Sequence, residues 1–508
     1  MLLVRESRAV TWALGVALAI GWATVRLTLL PPPVPSDQLT YLLAAQEFPY
    51  APAVGESTVL HQWLRYGLVL PVRLAIEVFG YSEAAYYVVP LFAGLLLLVG
   101  TYVLGCQFFG RTVGIAAALL VSFNTHVFDK SGDLLPDLLA TALTLFALAL
   151  TVAIRRGDLS RPRLALVVIG LLLGWSYLVR EFIVLLWPLI PALLWRRVSL
   201  RDLLFLGLPL IGVVAAEMLL MAIVRGDALA RIHATAIAAQ GEEEHIARTY
   251  RNRPVTEYLD RLIFHLNRVE EKRWLLLLLG VTVAGGIVRP RKLGFFLGWI
   301  ALLWVPLTLL GGLVNPASPT VNLWVERYWF PIFPAFVLGG LGTIWLLVRW
   351  AVDRLTSRPP VARYLAGAVA GTVGFAATWT AATEWTTWPK SGGHHLSQAR
   401  TWLAETAGAQ HTVWGDNGVE VLMRVYRNGP FGAPVVTSRI ELLSEAEQAR
   451  PGDYVMLYDA VDGNICSMCP TRASRVFGSP LKIPETWRTA FETPDGVLQI
   501  YQVTPSPS

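Results

Sequence analysis

Residues 164–195 read LALVVIGLLLGWSYLVREFIVLLWPLIPALLW, an apolar run interrupted only by Arg180-Glu181. A single helix of this length would reach about 48 Å at 1.5 Å per residue, well beyond a hydrocarbon core of about 30 Å. The stretch therefore predicts a hairpin of two short helices that turns at Arg180-Glu181, with the charged pair near one membrane face. Ionised groups at membrane depth are costly and rare, so such a pair points by default to a polar site.

The rest of the chain has the same character. Of its 508 residues 54% are hydrophobic and 15% charged, with a mean hydropathy of +0.51, against about 25% charged in an average soluble chain. Spans need roughly 20 apolar residues, and candidates lie near 9–30, 85–105, 111–127, 134–154, 164–179, 182–195, 203–224, 274–288, 294–312, 328–348 and 364–383. The expected fold class is a polytopic α-helical membrane protein with about eleven transmembrane helices. The first span is too long and too apolar for a cleaved signal peptide, and no small-residue cleavage site precedes PPPVP, so it is expected to stay in the mature chain.

Short cytoplasmic loops retain Lys and Arg. With the N-terminus inside, MLLVRESR, the turn at Arg111, RRGDLSRPR, WRRVSLRD, VRPRK and RWAVDRLTSRPPVAR hold 17 basic residues. The short exterior segments hold only Arg65, Arg73, Lys130 and Arg180, with Arg327 at a span boundary. The segment 225–273 carries nine basic and eight acidic residues and falls outside; flipping it would put the Arg-rich turns on the wrong face. A membrane domain over 1–383 is thus expected in the plasma (inner) membrane, N-terminus cytoplasmic, with exterior loops at 31–84, 128–137, 225–273 and 313–327. From 384 to 508, short apolar runs such as TVWG, YVMLYD and VLQIYQV alternate with turn residues, predicting a small C-terminal extracytoplasmic α/β domain. Cys466 and Cys469 form a C-x-x-C there without a second such pair, which leaves a disulfide, free thiols, or a redox or metal role open. The pI near 9.2 comes largely from membrane-anchoring arginines and is no argument for a nucleic-acid partner.

The candidate chemistry gathers on the exterior face. Asp37 follows PPPVPS and opens QLTYLLAAQEF, whose Leu39, Leu42, Leu43 and Phe48 recur at helical spacing, so an amphipathic interfacial helix is expected. Asp37 can cap that helix or act as a base; a cap used for catalysis must keep a carboxylate oxygen free. In HQWLRYGLVLPVRLAIEVFG, His61, Arg65 and Tyr66 can bind a phosphate or stack on a sugar, or simply anchor the interface. Asp129, Lys130, Asp133 and Asp137 crowd the turn before the fourth span. Pro136 puts Asp137 in a first helical turn, where the dipole favours a negative charge; the alternative is a second acid that positions an acceptor or a divalent cation such as Mg or Mn. Arg180 can clamp a lipid phosphate, oriented by Glu181 or by an acidic loop, and the same logic applies more weakly to Arg327-Tyr328, where snorkelling is the simpler reading. No Walker motif, GxGxxG or HExxH occurs, and HQWL, EEEH and GGHH lack metal-site companions.

The succession of these motifs resembles GT-C superfamily glycosyltransferases of the protein O-mannosyltransferase and lipid A aminoarabinose transferase type. It runs from an Asp-bearing first loop with two interfacial helices, through P-D before the fourth span and R-E after the fifth, to R-Y-x-x-P near the penultimate span and an exterior C-terminal domain. The resemblance implies a GT-C-like helix bundle, a polyprenyl-phosphate sugar donor, Asp37 as general base, Asp133 or Asp137 as a second acid, and Arg180 or Arg327 on the donor phosphate. Gln38 stands where the family often has a second acid, which removes a shared role for adjacent carboxylates. A composition rich in Ala, Leu, Arg, Gly and Pro points to a bacterial cell envelope, with a glycan, lipid or protein as acceptor. The other readings are an envelope polysaccharide ligase or polymerase, and a lipid-linked-sugar transporter or flippase, which predicts inverted repeats that the sequence does not display.

Overall fold

The computed structural model describes residues 8–30, 37–50, 60–236, 251–267, 273–317, 319, 321–355, 393–416, 419, 423, 436–458, 473–478 and 480–505. Among the described residues seven helices are long and apolar enough to cross a membrane, and three shorter apolar segments accompany them, Arg111–Ser122, Glu181–Leu194 and Trp274–Val288. Together these coincide with ten of the expected spans. The eleventh, 364–383, lies outside the described residues, as do Cys466 and Cys469.

The first part of the chain forms α1 (Arg8–Thr28), α2 (Asp37–Glu47), α3 (Leu60–Trp63), α4 (Tyr66–Phe79), α5 (Glu83–Phe109), α6 (Arg111–Ser122), α7 (Thr125–Lys130) and α8 (Pro136–Arg156). Then follow α9 (Pro162–Val179), a 3-10 turn over Glu181–Leu186, α10 (Leu189–Leu194) and α11 (Leu204–Arg225). Local chemistry sets the boundaries. Pro136 and Pro162 open α8 and α9 at positions where a missing N–H costs nothing, and Gly157 closes α8 at φ 72°. The span expected over 111–127 ends sooner because the Asn124 side chain accepts from Val127 N–H and caps a separate helix, α7.

The 164–195 hairpin is present. Arg180 lies beside Asp137 at the first turn of α8, with Arg180 Nε 3.2 Å from the carboxylate. Leu193 lies at the far end of α8, where its carbonyl accepts from Arg155 at 2.6 Å. The chain therefore goes out along α9 and returns through the 3-10 turn and α10. The turn residue Arg180 is extended, φ −151° and ψ 120°.

One expectation is corrected. Helix α2 is not an interfacial helix with one wet face, since every residue from Gln38 to Ala45 is buried. It sits inside the protein against α3 and α4, where Asp37 meets Arg327 and Tyr41 meets Arg65. Beyond α11 the membrane part continues through α12 (Val255–Leu259), α13 (Arg261–Asn267), α14 (Arg273–Val288), α15 (Pro290–Thr308), a 3-10 turn over Glu326–Ile332 and α16 (Phe333–Leu355). Near the C-terminus, α17 (Gly393–Thr406) precedes a five-stranded sheet of order β2-β1-β3-β5-β4, with β1 (Thr412–Gly415) parallel to β2 (Arg439–Leu442) and β3 (Tyr454–Tyr458). The strands β4 (Trp487–Glu492) and β5 (Leu498–Val503) complete it as an antiparallel pair.

Close packing fixes α4 against the C-terminal end of α9. Trp175 Nε1 donates to the Gly67 carbonyl at 3.0 Å, and a Cβ at Gly67 would lie 2.4 Å from the backbone of Leu178 and Val179. Backbone cannot step aside as a side chain can. Gly67→Ala is therefore expected to push these helices apart at a cost of about 1–3 kcal/mol. A thermal melt of the purified variant should fall by several degrees, and an unchanged melt would refute the contact.

Candidate active site

Asp37 opens α2, and its Oδ2 accepts from Arg327 Nη2 at 2.6 Å. Arg327, in the 3-10 turn before α16, also faces Asp137, with Nε 3.5 Å from Oδ2. On the other side of Asp137 stands Arg180, Nε to Oδ1 3.2 Å. The order is thus Asp37, Arg327, Asp137, Arg180, assembled from four separate segments. Among the described residues Arg327 is the one hydrogen-bond donor to Asp37, no backbone N–H caps on it, and Oδ1 stays available. The carboxylate keeps a third of its exposure.

Asp137 and Arg180 show an unusual deficit. Both Asp137 oxygens, Arg180 Nε and Arg327 Nε are buried without a hydrogen bond: the charges lie close enough to attract, yet the geometry leaves donors and acceptors open. The Arg180 side chain makes no hydrogen bond among the described residues. Its guanidinium instead lies over the Tyr328 ring at 4.6 Å and the Phe182 ring at 5.2 Å. Buried polar groups normally find partners, so an anion fitting this gap would complete the set.

A second row of charges adjoins the first. Arg65 donates to Tyr41 Oη at 2.6 Å and faces Glu181 at 3.4 Å. Glu181 is also held by Arg231 at 2.9 Å, and Arg231 pairs in turn with Glu217 on α11 at 2.9 Å while stacking on Tyr177 at 4.5 Å. Arg180 and Glu181 are therefore not partners of one another; each turns to a different element. His61 keeps Nδ1 buried and unpartnered, as does the Tyr66 hydroxyl, which packs edge-on to Phe48.

Of the expected residues, Asp37, Asp137, Arg180, Arg327 and Tyr328 come together, and Arg65 and Glu181 form the neighbouring row. Asp133 does not join them: Lys130 holds it at 2.6 Å and holds Asp129 at 3.0 Å, in a separate cluster beneath Arg26. A helix start at Pro136 separates the two acids, so Asp133 ends a turn while Asp137 begins a helix. Tyr41, Glu217 and Arg231 were not anticipated. A lone acid within the apolar α11 was a readable signal for Glu217; Arg231, one of many basic residues in its segment, carried none. The side chains do not fit a divalent cation. No three His, Cys, Asp or Glu groups converge among the described residues, and guanidiniums face both Asp37 and Asp137.

The model of the dolichyl-phosphate-mannose-protein mannosyltransferase family matches residues 69–222. ArnT from Cupriavidus metallidurans bound to undecaprenyl phosphate superposes with a TM-score of 0.55 at 14% identity, over 98% of this chain and 99% of that one. The fold is that of ArnT. The mycobacterial arabinofuranosyltransferase AftD gives 0.52 at 13% identity, over 99% of this chain and 40% of AftD. The Archaeoglobus fulgidus oligosaccharyltransferase in complex with zinc and sulfate gives 0.50 at 14%, over 96% and 73%. No curated protein sequence matches. The resemblance to GT-C glycosyltransferases thus extends from the motif order to the whole chain path.

Electrostatics in this site keeps Asp37 charged. Its packed surroundings alone would raise it, but the charge and hydrogen bond of Arg327, helped by the charge of Arg65, hold it below the usual carboxylate range. Burial first, then Arg65, pushes His61 down to about 3, so its imidazole is neutral when folded. Because an unfolded His61 would take up a proton near pH 6.5, stability should decline as pH falls below that value toward about 3. His61→Gln should flatten this acid-side decline in melting temperature, and an unaltered slope would count against the assignment. Asp137→Asn would leave the buried Arg180 guanidinium facing a neutral amide, while Arg327 keeps Asp37; breaking a buried pair costs about 3–5 kcal/mol, so urea or thermal unfolding should show a loss of that size.

Proposed function

We propose that the chain is an integral-membrane glycosyltransferase that moves a sugar from a polyprenyl-phosphate carrier to a cell-envelope glycan, lipid or protein acceptor on the extracytoplasmic face. The observation that carries this reading is Arg327 held between Asp37 and Asp137, with the Arg180 guanidinium beside them and committed to no hydrogen bond among the described residues. In support, ArnT, which shares the fold, has been solved with undecaprenyl phosphate. The proposed architecture has eleven spans within 1–383, the N-terminus in the cytoplasm, and residues 384–508 as an extracytoplasmic α/β domain.

The chemistry follows from the charges. A sugar or protein hydroxyl is too weak an acid to attack unaided, so Asp37 takes its proton as the new C–O bond forms. The bond from the anomeric carbon to the phosphate oxygen breaks, its electron pair goes to the phosphate, and polyprenyl phosphate leaves. Arg180 and Arg327 stabilise the charge that develops there without donating a proton outright. Attack opposite the leaving phosphate inverts the anomeric centre. Asp137 keeps the two guanidiniums close while leaving their N–H groups open to the phosphate. Arg65, Glu181 and Tyr41 shape the adjoining wall, and the open polar atoms of His61 and Tyr66 suit sugar hydroxyls.

The test is transfer from a panel of radiolabelled polyprenyl-phosphate sugars in liposomes, with membrane extract as acceptor. Asp37→Asn should lower transfer by about 10²–10⁴-fold with little change in melting temperature, since Arg327 retains Asp137. Arg180→Ala should weaken use of the donor more than of the acceptor, and equal losses in both would sink the phosphate role. Labelled lipid that changes leaflet with no sugar transferred would point instead to a transporter.

A further inference from the structure

The basic turns RRGDLSRPR and WRRVSLRD meet at the ends of α8 and α9 remote from Asp137 and Arg180. Between them lies a cavity of about 640 Å³ lined by Arg161, Arg163, Arg197 and Asp202, with Leu159 and Val198 among its apolar walls. Neighbouring arginines are already engaged. Arg155 donates to the Leu193 carbonyl at 2.6 Å, Arg156 to the Gln107 carbonyl at 2.7 Å, and Arg163 pairs with Asp202 at 2.8 Å. Asp202 also accepts from the Ser199 hydroxyl at 2.8 Å. The guanidiniums of Arg161 and Arg197 have no partner among the described residues, so the cavity holds three arginines against one carboxylate.

Position adds a second constraint. Along α8 the cavity lies about 26 Å from Asp137 at 1.5 Å per residue, close to one hydrocarbon thickness. Its surroundings are apolar and open outward: Leu164 is 54%, Trp195 71% and Leu200 85% exposed. Open guanidiniums ringed by outward-facing apolar side chains at a membrane face complement a phosphodiester carried on acyl chains. A free phosphate would satisfy only the charge.

We propose that this cavity binds the headgroup of an anionic phospholipid in the leaflet opposite the Asp37–Arg327–Asp137 cluster. A lipid seated there would brace the turns that carry α8, α9 and α10, and the proposal does not depend on the reaction assigned above.

The experiment is native mass spectrometry of the full chain in neutral detergent, titrated with phosphatidylglycerol and, in parallel, with phosphatidylcholine. Basic side chains at a membrane surface each contribute measurably to anionic-lipid binding, so Arg161→Gln with Arg197→Gln should weaken phosphatidylglycerol binding by about tenfold. Arg291→Gln with Lys292→Gln, which removes the same charge from another basic turn, should leave it nearly unchanged. Asp202→Asn removes the lining carboxylate and should strengthen binding, a gain that misfolding cannot mimic. Equal losses in the two double variants would overturn the proposal in favour of diffuse surface charge. No loss in the cavity variant, equal binding of phosphatidylcholine, or displacement by excess inorganic phosphate would overturn it as well.

Discussion

Four guanidiniums and four carboxylates share a small volume at one end of a helical bundle: Arg65, Arg180, Arg231 and Arg327 with Asp37, Asp137, Glu181 and Glu217. Removing any such charge from water costs several kcal/mol unless an opposite charge meets it. That requirement dictates which segments can be neighbours. Arg327 must reach α2 and the start of α8 together, Arg180 must come back to α8, and Arg231 must fold over α11 and the α9 turn. Apolar packing among the helices is permissive by comparison, because lipid satisfies a leucine face nearly as well as another helix does. The charge pattern therefore selects one arrangement among the many that apolar burial alone would allow.

The hairpin at 164–195 shows how local backbone serves this arrangement. A continuous helix would set Arg180 and Glu181 about 100° apart on one cylinder. The extended conformation at Arg180 breaks the helix and sends successive side chains to opposite sides. Arg180 then faces Asp137 and the Tyr328 ring, while Glu181 faces Arg65 and Arg231. One break supplies both rows of the site, and the return through a 3-10 turn and α10 restores Leu193 to the far end of α8.

Much of this was legible in the sequence because rare charges in apolar surroundings stand out. Asp37, Asp137, Arg180 and Arg327 were each marked, as was the turn between the two legs of the hairpin. Their partnerships were not readable, since Asp37 and Arg327 lie 290 residues apart and nothing local joins them. Adjacency even misled: Arg180 and Glu181 suggest a pair in the sequence and diverge in the fold. The periodicity of Leu39, Leu42 and Leu43 identified a helix but could not tell whether its polar face would meet water or Arg65 and Arg327. Asp133 and Asp137, four residues apart, would share a face only in one continuous helix, and Pro136 begins that helix between them.

Arg327 gives the proposed reaction an order of events. While it donates to Asp37, that carboxylate is a weak base, and while it lies against Asp137 it has an open N–H toward the space near Arg180. A donor phosphodiester entering that space competes with Asp37 for the guanidinium, and it is the stronger claimant because its two free oxygens can accept from Arg327 and Arg180 at the same time. Transfer of the Arg327 hydrogen bond from carboxylate to phosphate would release Asp37 and raise its basicity only when the leaving group is already seated. The acceptor hydroxyl then meets an activated base and a stabilised leaving group together.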